Sequence, residues 1–480
     1  MRRFLLGWLF LCIAFGSAET RELYILHTND IHGYIEAYEG GGLERIAGLV
    51  AQYRREHPGR VVLLDGGDTS LGTPLSGLLH GLPTAEIMDL MNYDAVVLGN
   101  HEFNWGQEKM RALTDEINTA VVCANLVALD GSPPPYPAWT VVERNGVRIG
   151  VIGLVTQETP RKTPVAYTRG WDFLDPVAAT QAALVEMPEV DLVLGLTHLG
   201  WEEDKRLARG VPELDLIVGG HSHTPLHEAL IENDTPIVQA GCYARYLGVL
   251  RVEVDTHEKR LRVLDYRLVP ALEAEQVDPA ARGIMEKYAT EVRPILERQA
   301  GQVLELLDKE PSPGSYDTPL GNFVSDVFRR QTGADVAFYN RGGVRHSLPA
   351  GPLSVGKLFE LFPFDDPVVM VQASGAELLK IVEQGTVSGQ GPLSAGGLTA
   401  LIQDGKVVEV RVGATPLDPK AEYTVATTSF VANGGDGLSA FAGLKKLRYF
   451  PFTRDVLLQD LETHSEIRSP GTGRLRALGS

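Results

Sequence analysis

Short runs of Val, Ile and Leu recur between Glu22 and Pro270, and longer stretches with apolar residues at helical spacing separate them. Residues 43–56 and 175–186 are two of these helix-compatible stretches. Buried strands that alternate with helices are typical of α/β domains. We therefore predict that residues 22–270 form an α/β domain.

The pattern changes after residue 270. Charged and apolar residues mix at helical spacing over 271–300, which predicts a helical linker. A turn cluster at 311–315, Pro-Ser-Pro-Gly-Ser, then precedes a helix pattern at 320–332 and several strand patterns, at 334–339, 367–372, 407–412 and 423–428. This mixture predicts a second domain, of the α+β class, over residues 301–480.

The N-terminus has the order of a secretory signal. Arg2 and Arg3 precede an apolar run over 4–16, and the small residues Ser17 and Ala18 follow it. This run is shorter than the roughly 20 residues that a membrane-spanning helix needs. We expect residues 1–18 to be a cleaved signal peptide and the mature chain to be exported, to a periplasm or to the medium, without a membrane span.

The amino-acid composition limits the classes of molecule that this protein can bind. Of the 480 residues, 44% are hydrophobic and 22% charged, which is close to the globular average. Lys and Arg total 44 against 62 Asp and Glu, and the resulting charge of −18 argues against a nucleic-acid polymer as partner. A small anionic ligand remains compatible, because a bound metal ion outweighs a diffuse negative field.

Cys123 and Cys242 could form one disulfide, but the sequence alone does not place them together, and it leaves the oligomeric state open.

Five apolar runs, at 23–26, 61–64, 95–98, 191–194 and 215–218, each stop just before potential metal ligands. The residues that follow them are, in chain order, Asp30, His32, Asp68, Asn100, His198, His221 and His223. Because the carboxyl ends of strands in α/β sheets converge on one crevice, these residues can meet although they lie far apart in the chain. A single His or Asp after a strand is more often a turn residue, but turn chemistry does not require Asp-x-His, Asn-His and His-x-His together.

The ligand chemistry favours particular metals. Carboxylates and imidazoles with one amide oxygen suit borderline divalent ions such as Mn, Zn, Fe or Co better than an all-oxygen calcium site. Seven ligands are too many for one tetrahedral ion. They suit two ions about 3.5 to 4 Å apart, and Asp68 is the candidate for the bridging carboxylate.

These blocks resemble the metallophosphoesterase superfamily, with its Asp-x-His, Gly-Asp, Gly-Asn-His-Glu, single His and Gly-His-x-His motifs. The second half is also similar to bacterial 5′-nucleotidases at 340–345 (Asn-Arg-Gly-Gly-Val-Arg), 361–364 (Leu-Phe-Pro-Phe) and 430–436 (Phe-Val-Ala-Asn-Gly-Gly-Asp). The resemblance implies a four-layer α/β/β/α N-terminal domain and a C-terminal nucleotide-binding domain, joined by a helical linker about which one domain rotates. It also implies hydrolysis of nucleoside 5′-monophosphates, with UDP-sugars as a further class of candidate substrate.

The resemblance also assigns roles to residues. One ion would be held by Asp30, His32, Asp68 and His223, and the other by Asp68, Asn100, His198 and His221. Water activated by the metals would attack phosphorus, and His101 would stabilise the developing charge or donate a proton. Substrate binding would fall to Asn340 and Arg345 at the phosphate, Phe364 and Phe430 on either side of the base, and Asp436 at the ribose hydroxyls.

Two departures from the 5′-nucleotidase pattern leave alternatives open. Asn104 stands where many relatives have an Asp that pairs with the catalytic His. We expect its neutral amide to orient His101, although it cannot stabilise the protonated imidazole as a carboxylate would. Asn at this position resembles the 2′,3′-cyclic-nucleotide 2′-phosphodiesterases with 3′-nucleotidase activity, which are the second candidate. Residues 301–328 lack the phosphate-binding Arg that the family often places there, and we expect Arg341 to supply that charge. A non-catalytic nucleotide-binding module is the alternative of another class, although the intact ligand set argues against it.

Overall fold

The computed structural model describes residues 20–36, 40–163, 165–363, 366–387 and 392–478. The predicted signal peptide and Phe364 lie outside these ranges. Within them, none of the helices combines the length and the apolar character that crossing a membrane requires.

The N-terminal domain consists of strands and helices that alternate along the chain. Its strands are β1 Thr20–Thr28, β2 Val61–Asp65, β3 Ala95–Val97, β4 Ala120–Val122, β5 Leu126–Ala128, β6 Trp139–Arg144, β7 Val147–Val155, β8 Trp171–Phe173, β9 Leu192–His198, β10 Leu216–Val218, β11 Leu230–Glu232, β12 Thr235–Val238, β13 Tyr246–Asp255 and β14 Arg260–Pro270. Its helices are α1 Leu43–Glu56, α2 Pro74–Leu78, α3 Leu82–Met91, α4 Gly106–Glu116, α5 Thr159–Lys162, α6 Val165–Thr168, α7 Pro176–Glu186, α8 Trp201–Gly210 and α9 Pro279–Leu296.

Two six-stranded sheets form the centre of this domain. Their strand orders are β14-β13-β1-β2-β3-β4 and β11-β12-β10-β9-β7-β6. Strands β1 to β4 of the first sheet run parallel, as do β12, β10, β9 and β7 of the second, whereas β13 is antiparallel to β1. Buried Val, Ile and Leu side chains from both sheets share one core between them. Helices α1, α3 and α9 cover the outer face of the first sheet, and α7 and α8 cover the second. The predicted α/β/β/α layering is therefore confirmed.

The helix predicted in the linker is α9, and it packs on the N-terminal domain. Ala281 and Met285 are buried in the same core as α1 and α3. The Arg282 guanidinium pairs with the Glu44 carboxylate, and Glu86 accepts hydrogen bonds from Lys287 and Tyr288. Leu296, at the C-terminal end of α9, lies against Gly356 of the second domain. The helix therefore connects the two domains while belonging structurally to the outer layer of the first.

The C-terminal domain mixes sheets and helices, as predicted for an α+β fold. Its strands are β15 Gln299–Val303, β16 Val336–Asn340, β17 Gly351–Ser354, β18 Pro367–Ser374, β19 Leu393–Gly396, β20 Leu398–Gln403, β21 Lys406–Val412, β22 Thr415–Pro416, β23 Glu422–Thr428, β24 Lys445–Phe452, β25 Glu466–Ile467 and β26 Leu475–Ala477. Its helices are α10 Pro319–Thr332, α11 Val355–Leu361, α12 Gly375–Val387, α13 Ser429–Ala432 and α14 Thr453–Thr463. The central sheet has the order β19-β16-β23-β18-β24, with α10 and α14 on one face and α12 on the other.

Candidate active site

The predicted metal ligands lie at the carboxyl ends of strands from both N-terminal sheets. The strands and their ligands are β1 with Asp30 and His32, β2 with Asp68, β3 with Asn100, β9 with His198, and β10 with His221 and His223. Strands β1 to β3 are neighbours in one sheet, and β9 and β10 are neighbours in the other. The sandwich thus brings the ligands to one edge, as parallel strand ends allow.

Two groups of three side chains converge at this edge. The first consists of Asp30, His32 and His223, and the second of Asp68, His198 and His221. Within each group, the ligand atoms of the three residues lie within 4.8 Å of one another. The Nε2 atoms of His32 and His223 are 3.0 Å apart, and Asp68 Oδ2 is 3.1 Å from His198 Nε2. Asp68 Oδ2 is also 3.9 Å from His32 Nε2, so this carboxylate connects the two groups. Each group contains three of the four residues that the family resemblance assigned to one ion.

Backbone carbonyls orient two of the imidazoles. His32 Nδ1 is 2.7 Å from the carbonyl oxygen of Leu71, and His198 Nδ1 is 2.6 Å from that of Gly66. A carbonyl oxygen only accepts, so each Nδ1 donates a proton and Nε2 points toward the other ligands. This is the orientation in which Nε2 can bind a metal once it is deprotonated.

Asn100 carries the clearest sign of a missing partner. Its Oδ1 is buried and has no hydrogen-bond partner among the described residues. A buried amide oxygen without a partner is costly, and a divalent cation would satisfy it. The donor set and this unpaired oxygen both fit a divalent metal.

The ligand loops have an unusual backbone conformation. Five of the ligands have φ between 50° and 80°, in the left-handed region: Asp30, His32, Asp68, His221 and His223. Non-glycine residues in this region are rare, and such strain clusters at functional sites. The fit is also close, because a Cβ at Gly99 would lie 2.1 Å from Asp68 Oδ1.

Glu102 ties the loops after β2 and β3 together. Its Oε2 accepts hydrogen bonds from the backbone N–H of Asp68 at 3.0 Å and of Gly99 at 2.7 Å. Its Oε1 accepts from the N–H and the hydroxyl of Thr69. The sequence contained this residue in the Gly-Asn-His-Glu block, but the residue types alone did not show that its carboxylate binds backbone rather than metal.

The charges of the site are mutually dependent. Burial alone would raise the pKa of Asp68, but His198, His101 and His32 hold it well below its usual range. Burial would lower the pKa of His198, but the carboxylates of Asp68 and Asp30 raise it to about 10. A bound divalent cation would displace this proton, because metals bind the deprotonated imidazole.

His101 and Asn104 lie where the metal groups meet a cavity. The His101 backbone N–H donates to Asp68 Oδ1 at 2.8 Å, and burial lowers the pKa of its imidazole. Asn104 was expected to orient His101, but His101 Nδ1 and Asn104 Oδ1 are both buried without a hydrogen-bond partner among the described residues. The expected bond is therefore not present, although both residues line the same cavity.

This cavity, of about 430 Å³, lies between the two domains. That volume is typical of small-molecule sites. The N-terminal domain contributes Asn100, His101 and Asn104, and the C-terminal domain contributes Tyr339, Asn340, Gly342, Gly343, Arg345, Phe362, Asp366, Thr428, Phe430, Asp436 and Thr453. Four of the five predicted substrate residues are among them, and the fifth, Phe364, lies outside the described residues.

Local contacts hold the cavity wall in place. Asn340 Nδ2 donates to Asp436 Oδ2 at 2.7 Å. Asp436 has a left-handed backbone, with φ of 52°. The Tyr339 hydroxyl donates to the Gly343 carbonyl at 3.0 Å. The loop after β16 and the loop after α13 are thus joined through one amide–carboxylate pair.

Two other expectations from the sequence have different outcomes. Arg341 was expected to supply phosphate-binding charge, but its guanidinium pairs with Glu310 at 3.1 Å and it is not among the described residues that line the cavity. Cys123 and Cys242 are both free thiols, so they do not form the disulfide that the composition allowed. Cys123 instead packs in an apolar cluster with Phe103 and Trp171.

Two family models match the chain. The model of the calcineurin-like phosphoesterases matches residues 23–225, and that of the 5′-nucleotidase C-terminal domain matches residues 306–443. The 5′-nucleotidase of Vibrio cholerae is 30% identical over 479 aligned residues, which cover 87% of this chain and 86% of that protein. Protein UshA of Yersinia enterocolitica is 27% identical, covering 96% of this chain and 94% of that protein.

Solved structures agree with this relationship. The crystal structure of a 5′-nucleotidase precursor from Thermus thermophilus is 28% identical, with a TM-score of 0.73 and coverage of 96% of this chain and 100% of that one. A structure from Staphylococcus aureus, described as a putative 5′-nucleotidase, has a TM-score of 0.82 at 19% identity over 95% of this chain and 100% of that one, a likeness in fold.

Proposed function

This chain belongs to the 5′-nucleotidase family, and we propose that it is an exported enzyme that hydrolyses nucleoside 5′-monophosphates to nucleoside and inorganic phosphate. One observation carries the proposal: a single cavity is lined both by Asn100 and His101 beside the metal groups and by the candidate nucleotide-binding residues. A nucleotide in it would have its phosphate next to the ligands of one domain and its nucleoside against the other domain.

The two groups of ligands would hold two divalent ions, of Mn, Zn, Fe or Co, with Asp68 between them. When bound, such ions supply Lewis acidity to a water molecule and to the phosphoryl oxygens. Asp30 Oδ2 already accepts from Asn29 at 2.7 Å and from the His221 N–H at 2.9 Å. Its other oxygen therefore remains for the metal.

The chain's own side chains would then position the substrate. His101, between Asp68 and the cavity, would stabilise negative charge on the phosphoryl group or donate a proton to the leaving oxygen. Arg345 and Asn340 would bind the phosphate and Phe430 would stack on the base. Asp436 would accept from the ribose hydroxyls while it holds Asn340 in place.

One observation favours a second candidate, 2′,3′-cyclic-nucleotide phosphodiesterase with 3′-nucleotidase activity. Asn104 is neutral and makes no bond to His101 through its amide oxygen. His101 therefore lacks a carboxylate partner on this side that would stabilise its protonated form. UDP-sugars are a further candidate substrate of the proposed enzyme.

A substrate panel tests the proposal. The chain without residues 1–18, loaded with Mn or Zn, would be assayed with AMP, 3′-AMP, 2′,3′-cyclic AMP and UDP-glucose, and we expect the highest kcat/KM for AMP. Asp68→Asn should abolish turnover, and Asp234→Asn, at an exposed turn of the same domain, should not. Faster hydrolysis of the cyclic nucleotide than of AMP would establish the second candidate, and no hydrolysis of any substrate would indicate a binding module.

A further inference from the structure

Asp366 has a carboxylate in the cavity wall, and this carboxylate has no role in the hydrolysis proposed above. It immediately precedes β18 and lines the cavity with Thr428, Phe430 and Thr453. Its backbone carbonyl accepts from the N–H and the hydroxyl of Thr453, each at 3.0 Å. The side chain is thus attached to a rigid part of the wall.

The donors on this carboxylate are neutral. Oδ1 accepts from the Ser429 hydroxyl at 2.5 Å and from the Phe430 N–H at 3.1 Å, whereas the Phe430 N–H is 3.3 Å from Oδ2. None of the ion pairs among the described residues involves Asp366. Desolvation raises the pKa of Asp366 to about 6, despite the hydrogen bonds from the Ser429 and Thr428 side chains and from the backbone of Phe430 and Ser429. A desolvated carboxylate at a cavity wall whose present partners are all neutral favours a ligand that brings further donors.

The position of Asp366 indicates which part of a nucleotide it would meet. Asn100 and His101 mark the phosphate end of the cavity, and aromatic side chains of Tyr339, Phe362 and Phe430 line its other wall. Because the Asp366 carboxylate accepts from the backbone of Phe430, it lies at the base of that aromatic side chain. A base stacked on Phe430 would therefore lie next to the part of the cavity wall that carries this carboxylate.

We propose that Asp366 reads the hydrogen-bonding edge of the base and makes this enzyme prefer guanine nucleotides. Guanine presents two adjacent donors, N1–H and the N2 amino group, and these match the two oxygens of a carboxylate. Adenine and cytosine present one amino donor beside a ring-nitrogen acceptor, and uracil presents one N–H between two carbonyl oxygens that a carboxylate repels. A site built to receive donors rejects bases that lack them, because its polar group is left unpaired.

The preference rests on the proposed function and can be measured on the metal-loaded enzyme. The test compares kcat/KM for GMP, AMP, UMP and the base-free ribose 5-phosphate in the wild type, in Asp366→Asn and in Asp455→Asn. Asp455 is an exposed residue in the first turn of α14, two positions after Thr453, and serves as the matched control. We expect the wild type to prefer GMP over UMP by about ten-fold or more.

In Asp366→Asn the GMP to UMP ratio should fall by about ten-fold, because an amide offers one donor and one acceptor. Hydrolysis of ribose 5-phosphate should remain unchanged, as should every ratio in Asp455→Asn. Equal losses for GMP, AMP and UMP would show that Asp366 only holds Phe430 in place, and a wild-type ratio near one would equally overturn the proposal.

Binding of nucleosides provides a measurement that needs neither a variant nor turnover. Guanosine should bind the wild-type enzyme more tightly than adenosine, which shares the purine ring that stacks on Phe430, by calorimetry, by about the same ten-fold factor. Equal affinities would refute base reading. Failure to hydrolyse any nucleoside monophosphate would instead refute the proposed function, and the nucleoside comparison would still decide the role of Asp366.

Discussion

Glu102 offers a test of how the metal ligands are positioned without touching the metal. In Glu102→Gln the amide NH2 group must replace one carboxylate oxygen. If it replaces Oε2, the N–H groups of Asp68 and Gly99 both lose their acceptor. If it replaces Oε1, only the Thr69 N–H does, since the Thr69 hydroxyl can rotate and accept. The second arrangement is the less costly, so one buried backbone donor remains unpaired.

The expected loss of stability in Glu102→Gln follows from this unpaired backbone N–H group. An unsatisfied buried N–H costs about 1 to 3 kcal/mol. Removal of a carboxylate whose pKa is raised, chiefly by burial and then by Asp68, offsets part of this. We therefore expect the free energy of unfolding of the metal-free chain to fall by about 1 to 2 kcal/mol. Because the Asp68 loop loses an anchor, metal affinity should fall by about 10- to 100-fold.

Urea unfolding in chelator and a metal titration would measure the two effects. Glu108→Gln is the matched control, since Glu108 is an exposed residue of α4 in the same segment. If Glu102→Gln unfolded at the wild-type urea concentration and bound metal with wild-type affinity, the positioning role assigned to Glu102 would be wrong.

Three further predictions follow from the site and the core. Gly99→Ala places a Cβ 2.1 Å from Asp68 Oδ1 and should abolish metal binding, measured by elemental analysis, whereas Gly283→Ala, with nothing within 4 Å, should retain it. Burial would lower the pKa of His198 and His223, but acidic neighbours raise these values to about 10 and about 11. Metal binding near neutral pH should therefore release protons from these imidazoles. Calorimetry in buffers of different ionisation enthalpy would detect the release, and binding heats that do not depend on the buffer would contradict it. Burial lowers the pKa of His27 to about 3, so between about pH 6.5 and pH 3 this imidazole is protonated in the unfolded chain but neutral in the folded one. As the pH falls through this range, the free energy of unfolding should decrease by up to roughly 1.4 kcal/mol per pH unit because of this residue. His27→Phe should remove this slope, and His257→Gln, at an exposed position, should retain it.

The Asn104 and Arg341 results show why residue type and spacing were not enough for some roles. Asn104 immediately follows the Gly-Asn-His-Glu-Phe stretch, as expected, but the orientation of its amide depends on packing around the 3-10 turn at His101–Trp105. Arg341 lies at the start of the expected substrate loop, but its long side chain reaches Glu310, which the sequence places 31 positions away. Long-range pairs of this kind depend on the final arrangement of loops.

The α/β alternation, the strand ends and the chemistry of the candidate metal ligands were all predictable from the amino-acid sequence. These properties depend on local periodicity and on which residue follows a buried strand, so they can be read along the chain. Together with the family resemblance they also indicated two groups of ligands joined by Asp68.

Contacts between residues far apart in the chain could be seen only in the folded protein. In it α9 packs on the N-terminal domain, Glu102 holds two ligand loops, the two thiols are not bonded and Asp366 lies in the cavity wall. The reason is physical: these outcomes depend on packing between sheets and between domains, where a carboxylate binds backbone, metal or base according to the donors that surround it. Those donors come from residues far away in the sequence.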